Sequence, residues 1–157
     1  MIILGIDPGT TAIGFAIVQS GRTPRLHEAG LIPIAALDAS ERMAELHRAL
    51  TAIIKRAQPG AAVVEKLFFA KNAKTAMAVA EARGVILLTA AIARVTVYEY
   101  TPAEIKKTVA GYGSADKAAV QKMVRLTLPE TRDMKARDDV FDAIAIALAC
   151  GYKEFRT

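Results

Sequence analysis

Residues Ile2 to Ile6 form an unbroken apolar run, closed by the turn sequence Asp7-Pro8-Gly9. The run reads as a strand buried on both faces. Ala61 to Glu65 repeats the pattern, again ending on an acid. Such strands need cover on both sides of their sheet, so helices must pack above and below it. The rest of the chain provides them. Ile13–Gln19 and Arg25–Ile34 read as strands that complete an antiparallel meander with the first. A helix is predicted over Ala39–Arg56, started by Ser40 or Asp38 and stopped by Pro59-Gly60. An alanine-rich helix over Asn72–Ala93 and a strand over Arg94–Tyr100 follow. Thr101-Pro102-Ala103-Glu104 has the form of a capping box with proline at the first helical position. Beyond Gly111-Tyr112-Gly113, Ser114 is expected to cap a helix running to about Leu126. Glu130 to Arg137 reads as a loop. Asp138 to Gly151 is a last, almost wholly apolar helix. The order βββ-α-β-α-β-α-α-α predicts an α/β fold with a five-stranded mixed sheet and helices on both faces. Residues 1–157 are expected to form a single domain.

Composition narrows the function classes. At 157 residues and 53% hydrophobic types, the chain can bury a sizeable core without disulfides. Its one cysteine, Cys150, excludes both an intrachain disulfide scaffold and zinc-ligand spacing. No basic stretch precedes the first apolar run, so a signal peptide is not expected. The longest uncharged runs, Gly84–Ala93 and Ala143–Tyr152, reach about half the roughly 20 residues of a membrane span. A soluble, cytoplasmic protein without membrane contact is expected. The net charge of +5 is uneven. Between Glu104 and Arg137 eight basic residues face four acids, which favours a polyanionic partner, nucleic acid first.

Four acids stand where acids are costly. Asp7 and Glu65 end the two buried strands. Asp139 and Asp142 lie three apart, on one face of the last helix near its start. Beyond Asp142 that helix is apolar on every side, so an inward-facing acid there needs a partner. Asp138 is i−4 to Asp142, so spacing alone does not choose between Asp138 and Asp139. Asp139 is assigned to the site and Asp138 to the N-cap. Carboxylates crowded in this way must protonate, pair with cations or bind a metal. Oxygen-only ligands suit Mg²⁺ or Mn²⁺. Two such ions, about 3.5–4 Å apart, suit phosphodiester displacement: one activates water and the other offsets charge on the leaving 3′ oxygen. Neither a nucleophile elbow nor a Walker A sequence is present. Phe68 and Phe69, followed by Lys71 and Lys74, place aromatic rings beside basic groups in a loop, an arrangement suited to base stacking.

The stretches GIDPGTTAIGFAIV, VVEKLFFAKNAKTAMAVAEARGVIL, EYTPAEIKKTVAGYGSADKAAVQKMV and DDVFDAIAIALAC resemble the four signature stretches of the RuvC family, the bacterial Holliday-junction-resolving endonucleases. The resemblance runs from about Ile2 to Cys150. It implies a ribonuclease-H-like fold, a homodimer and catalysis by two Mg²⁺ or Mn²⁺ ions. It further implies paired symmetric nicks across four-way junction DNA, leaving 5′-phosphate and 3′-hydroxyl ends, and cooperation with the RuvAB branch-migration complex. Asp7, Glu65, Asp139 and Asp142 match the family's metal-binding acids. Lys106 and Lys117 match its lysines near the active site, and Phe68 matches an aromatic residue that engages bases. Phe69 leaves open which ring does so. Lys107 and Lys122 complete the candidate DNA-binding set. The Asn72–Ala93 helix resembles the family's dimer helix.

Three other readings share parts of this pattern. An actin-like ATPase would use Asp7-Pro8-Gly9-Thr10-Thr11 as a phosphate loop, but it needs two lobes and one short domain supplies only one. An RNA-processing relative of the family would keep the acids without the full lysine and aromatic set. A non-catalytic junction-binding module would have no use for four carboxylates, which repel DNA unless a cation is present.

Overall fold

The computed structural model describes residues 1–9, 12–66 and 73–155. Strands β1 (Ile2–Asp7), β2 (Ile13–Gln19) and β3 (Arg25–Ile32) form the antiparallel meander. Helix α1 (Ala39–Ala57) leads to β4 (Ala61–Glu65), which pairs parallel with β1. Helix α2 (Ala73–Ile92) leads to β5 (Thr96–Tyr100), parallel with β4. The sheet order is therefore β3-β2-β1-β4-β5, with the two buried strands side by side at its centre. Helices α3 (Pro102–Ala110), α4 (Lys117–Thr127) and α5 (Asp138–Glu154) complete the chain, with a 3-10 turn at Pro129–Thr131 between the last two.

The alternation of β1 explains the two layers. Leu4 and Ile6 face a core shared with α1 and α2, through Leu46, Leu50, Ile53 and Ile86. Ile3 faces the opposite core, built on α3, α4 and α5. α5 is buried on nearly all sides from Val140 to Gly151, as its composition requires. It lies very close to the sheet. A Cβ on Gly5 would meet the Ala143 carbonyl oxygen at 2.3 Å, and one on Gly14 would meet the Asp139 carbonyl oxygen at 2.0 Å. Gly14 is the partner of Asp7 across the β1–β2 ladder. The missing side chain at Gly14 thus brings the start of α5 down beside the end of β1.

Several element ends differ from the sequence reading. β3 stops at Ile32, before Pro33, which has no N–H for a ladder. β5 starts at Thr96 because Arg94, at φ +57°, turns the chain out of α2. α4 is capped by Asp116, whose carboxylate accepts from the Ala119 N–H at 2.8 Å, and not by Ser114. The 130–137 stretch is not all loop, since its start lies in the 3-10 turn. α5 runs through Gly151 to Glu154. Gly151 packs so near Ser20 that a Cβ there would lie 3.2 Å from the serine Cβ, so this glycine serves a close approach rather than a stop. Asp138 is not the N-cap of α5. Arg137 occupies that position without a side-chain cap bond, and Asp138 is the first helical residue.

α2 also departs from expectation. Its stretch Thr75–Ile92 reaches a mean hydropathy of 1.5 over 18 residues, enough by length and composition to span a membrane. Glu81 and Arg83 interrupt it, which is why no long uncharged run was legible. Only 17% of the stretch is buried, and Met77, Leu88 and Ile92 stand exposed on it.

Gly14→Ala is expected to cost about 1–3 kcal/mol of stability, because backbone and not a flexible side-chain tip occupies the space. Urea unfolding measures this. A variant as stable as the wild type would mean that α5 does not press on β2.

Candidate active site

The register of the central strands builds the site. Ile6 pairs with Val64 across β1 and β4, so Asp7 and Glu65 follow at the same end of adjacent strands. α5 enters over this edge, carrying Asp139 and Asp142 on its first turns. The charges of these acids act on one another. Burial pushes the Asp7 carboxyl up from its ordinary 3.8 to about 7, reinforced by Asp142, Glu65 and Asp139 and opposed by Lys117. Burial also raises Glu65, with Asp142 adding to it and Lys106 and Lys117 opposing. Asp142 is raised by burial, although a hydrogen bond from Lys117 opposes the shift.

Two cations stand at the rim. Lys117, at the first position of α4, donates through Nζ to Asp142 Oδ2 at 3.1 Å and lies 3.7 Å from Asp138 Oδ2. Its burial alone would lower its pKa, but the bond to Asp142 and the charges of Asp142, Asp138 and Asp7 raise it. Arg137 Nε lies 3.4 Å from Asp139 Oδ2. Among the described residues, no three His, Cys, Asp or Glu groups are drawn together as a closed ligand shell. Asp142 is turned to Lys117 and Asp139 to Arg137. The donor set is nonetheless all oxygen, partly buried and mutually repelling, which fits a hard divalent cation such as Mg²⁺ or Mn²⁺.

A cleft of about 660 Å³ opens beside these acids, lined by Pro8, Glu65, Lys66, Lys106, Lys117 and Asp142 together with the start of α3. That start is firmly held. Thr101 and Glu104 form the expected capping box, and Lys153 of α5 donates to Glu104 at 3.1 Å. The Thr101 N–H, the Lys153 amine and the Thr101 hydroxyl together hold the Glu104 carboxyl at about 2. α3 is thereby fixed against α5, which keeps Lys106 at the cleft.

Of the residues singled out by sequence, Asp7, Glu65, Asp139, Asp142, Lys106 and Lys117 come together here. Lys107 and Lys122 do not line the cleft. Lys122 instead borders a separate shallow groove with Arg125, Leu126 and Arg132. Phe68, Phe69 and Lys71, and the side chain of Lys74, lie outside the described residues. Sequence reasoning missed Gln121, whose Nε2 donates to Asp138 Oδ1 at 3.0 Å, and Arg137. Gln121 was findable, being four residues after Lys117 and so on the same face of α4.

A mixed sheet in this order, crossed by a buried helix and bearing carboxylates at the ends of its central strands, defines a ribonuclease-H-like nuclease. The family model described as crossover junction endodeoxyribonuclease RuvC matches residues 3–150. A protein of that name from Chloroflexus aggregans is 47% identical over 154 residues, covering 97% of this chain and 93% of the relative. One from Moorella thermoacetica is 45% identical over 150 residues, 94% of this chain and 89% of the relative. Among solved structures, Thermus thermophilus RuvC in complex with Holliday junction substrate superposes with a TM-score of 0.88 at 33% identity, covering 97% of this chain and 93% of that one. The chain belongs to the RuvC family of crossover junction endodeoxyribonucleases.

The raised Asp7 carboxyl has a consequence for stability. Its folded pKa, about 7, exceeds the unfolded value, so folding disfavours its charged form. Metal-free stability should therefore fall as pH rises from about 4 to 7 and stay low above that. Asp7→Asn removes this cost. Without divalent cations, the variant is expected to be more stable than the wild type at pH 8, by up to about 4 kcal/mol, and equal to it near pH 4. Added Mg²⁺ should raise the wild-type Tm and leave the variant nearly unchanged. Equal Tm values at pH 8 without metal would show that Asp7 is not crowded.

Proposed function

We propose that this chain is a Holliday junction resolvase, acting as one nuclease domain in a homodimer that places paired symmetric nicks in four-way DNA. The observation that carries the reading is the crowding of Asp7, Glu65, Asp139 and Asp142 beside a cleft that Glu65, Asp142, Lys106 and Lys117 line. Asp7, Glu65 and Asp142, completed by Asp139, would hold two Mg²⁺ or Mn²⁺ ions. When bound, these cations supply Lewis-acid stabilisation of a phosphodiester under attack by water, the chemistry that leaves 5′-phosphate and 3′-hydroxyl ends.

The chain's own groups perform the remaining tasks. The carboxylates, fixed by the β1–β4 register and the start of α5, set where negative charge is tolerated. Lys117, paired to Asp142 in the free protein, is placed to exchange that partner for a backbone phosphate once the acids are neutralised. Lys106 approaches the same cleft from α3 and adds positive potential where charge grows in the transition state. Lys107 and Lys122 lie outside the cleft, and their suggested role is contact with more distant phosphates. Phe68 or Phe69 would stack on bases at the junction centre, supported by the family pattern.

The exposed apolar face of α2, with Met77, Leu88 and Ile92, supports the homodimer. Two sites related by a twofold axis suit the pseudo-twofold symmetry of a four-way junction. Cooperation with the RuvAB motor rests on family membership.

The test uses a labelled immobile four-way junction and a matching linear duplex, with EDTA, Mg²⁺ or Mn²⁺. Wild-type protein is expected to nick opposed strands of the junction only, and only with metal. Asp7→Asn should retain junction binding and lose cleavage by roughly two orders of magnitude or more. Cleavage by Asp7→Asn at the wild-type rate would refute the site, and equal cutting of the linear duplex would refute the substrate.

A further inference from the structure

One face of α4 forms a polar ladder against the start of α5. Lys117, Gln121 and Arg125 recur every four residues and so project from the same side of the helix. Lys117 reaches Asp142 and Asp138, and Gln121 reaches Asp138. Arg125 reaches the segment that leads into α5. Its Nη1 donates to the carbonyls of Thr131 and Arg132, the latter at 2.7 Å, and its Nη2 donates to the Met134 carbonyl at 3.1 Å. Its guanidinium carbon lies 4.5 Å from the centroid of the Phe141 ring. Phe141 is buried and directly precedes Asp142.

This arrangement matters because α5 begins without a side-chain cap. The carbonyls of residues 131, 132 and 134 lie at the end of the 3-10 turn and in the backbone just after it, and one guanidinium gathers all three. The 3-10 turn beneath them is closed by buried Thr131, whose hydroxyl donates to the Leu128 carbonyl at 2.8 Å. The segment is thus tied down at two points, and its far end delivers Asp139 and Asp142. A planar fork with five donors can hold three carbonyls and stack on a ring at once, which an ammonium cannot do.

We propose that Arg125 is a positioning residue of the active site: by fastening the 131–134 backbone and the Phe141 ring, it fixes the pose in which Asp139 and Asp142 face Asp7 and Glu65. Gln121 assists by holding Asp138 aside. The inference rests on the reading of those four acids as the metal-binding set. Arg125 does not line the cleft beside the acids; its contacts run to the 131–134 carbonyls and the Phe141 ring. Its effect runs through the backbone, as with groups that orient metal ligands from behind, whose loss typically weakens metal binding about 10- to 100-fold.

The test is a titration of metal-free protein with Mn²⁺, followed by loss of the free-ion electron paramagnetic resonance signal. Single-turnover junction cleavage and junction binding in EDTA are measured beside it. Arg125→Lys keeps the charge and loses the fork. It is expected to weaken Mn²⁺ binding about 10-fold or more and to slow cleavage at limiting metal, with partial recovery at saturating Mn²⁺ and junction binding unchanged. Gln121→Ala, on an intact Arg125 anchor, should shift the Mn²⁺ titration in the same direction by a smaller factor. If Arg125→Lys lacks a folded circular dichroism spectrum, Gln121→Ala decides alone. A wild-type Mn²⁺ affinity in a folded Arg125→Lys, or in Gln121→Ala where that variant decides, would overturn the proposal even if the Tm falls. Failure of the wild type itself to bind Mn²⁺ would instead overturn the underlying reading of the acids.

Discussion

The structure turns on the mutual repulsion of carboxylates at the end of β1. Asp7 is largely buried, and the fields of Asp142, Glu65 and Asp139 add to its desolvation. No isolated chain would collect such charges, because each approach costs free energy. The surrounding elements hold them there. The parallel β1–β4 register sets Asp7 beside Glu65, and the bare faces of Gly5 and Gly14 let α5 descend onto the sheet. The apolar body of α5, from Ala143 to Gly151, supplies the burial that offsets the cost at its polar end. Stability lost at a site is a common correlate of function, since a bound ligand can restore it.

The cations around the cluster can then be understood as groups of three kinds. Lys117 and Arg137 pair directly with Asp142 and Asp139, at separations that a competing divalent cation would change. Lys106 acts through its field on Glu65 and stays at the cleft wall. Arg125 and Lys153 lie farther back and hold backbone near the cluster. One anchors the lead-in to α5 and the other ties the end of α5 to the start of α3. On the proposed reading this division lets DNA meet positive charge without displacing the acids.

Much of this was legible in the sequence, for physical reasons. Strands buried on both faces write themselves as unbroken apolar runs, so Asp7 and Glu65 stood out at their ends. The capping box at Thr101–Glu104 was visible because both its bonds are local. What was not legible depended on contacts between distant segments. Asp138 looked like a cap because Asp favours that position. In the fold its carboxylate is drawn to Gln121 and Lys117 on α4 instead. Gly151 looked like a helix stop because glycine often is one, but it lies inside the helix, where Ser20 packs closely against it. The ladder of Lys117, Gln121 and Arg125 could be read as one helix face, yet only the tertiary structure shows what that face grips.

Asp7 sits in a cluster of like charge, which on the proposed reading a divalent cation relieves. Carbon-13 NMR of the labelled Asp7 carboxyl, titrated with and without saturating Mg²⁺, tests it most directly. Titration near 7 is expected without metal, and a carboxylate ionised across the accessible pH range once Mg²⁺ is present. An Asp7 that titrates at its ordinary value of 3.8 in the metal-free protein, unmoved by Mg²⁺, would contradict it.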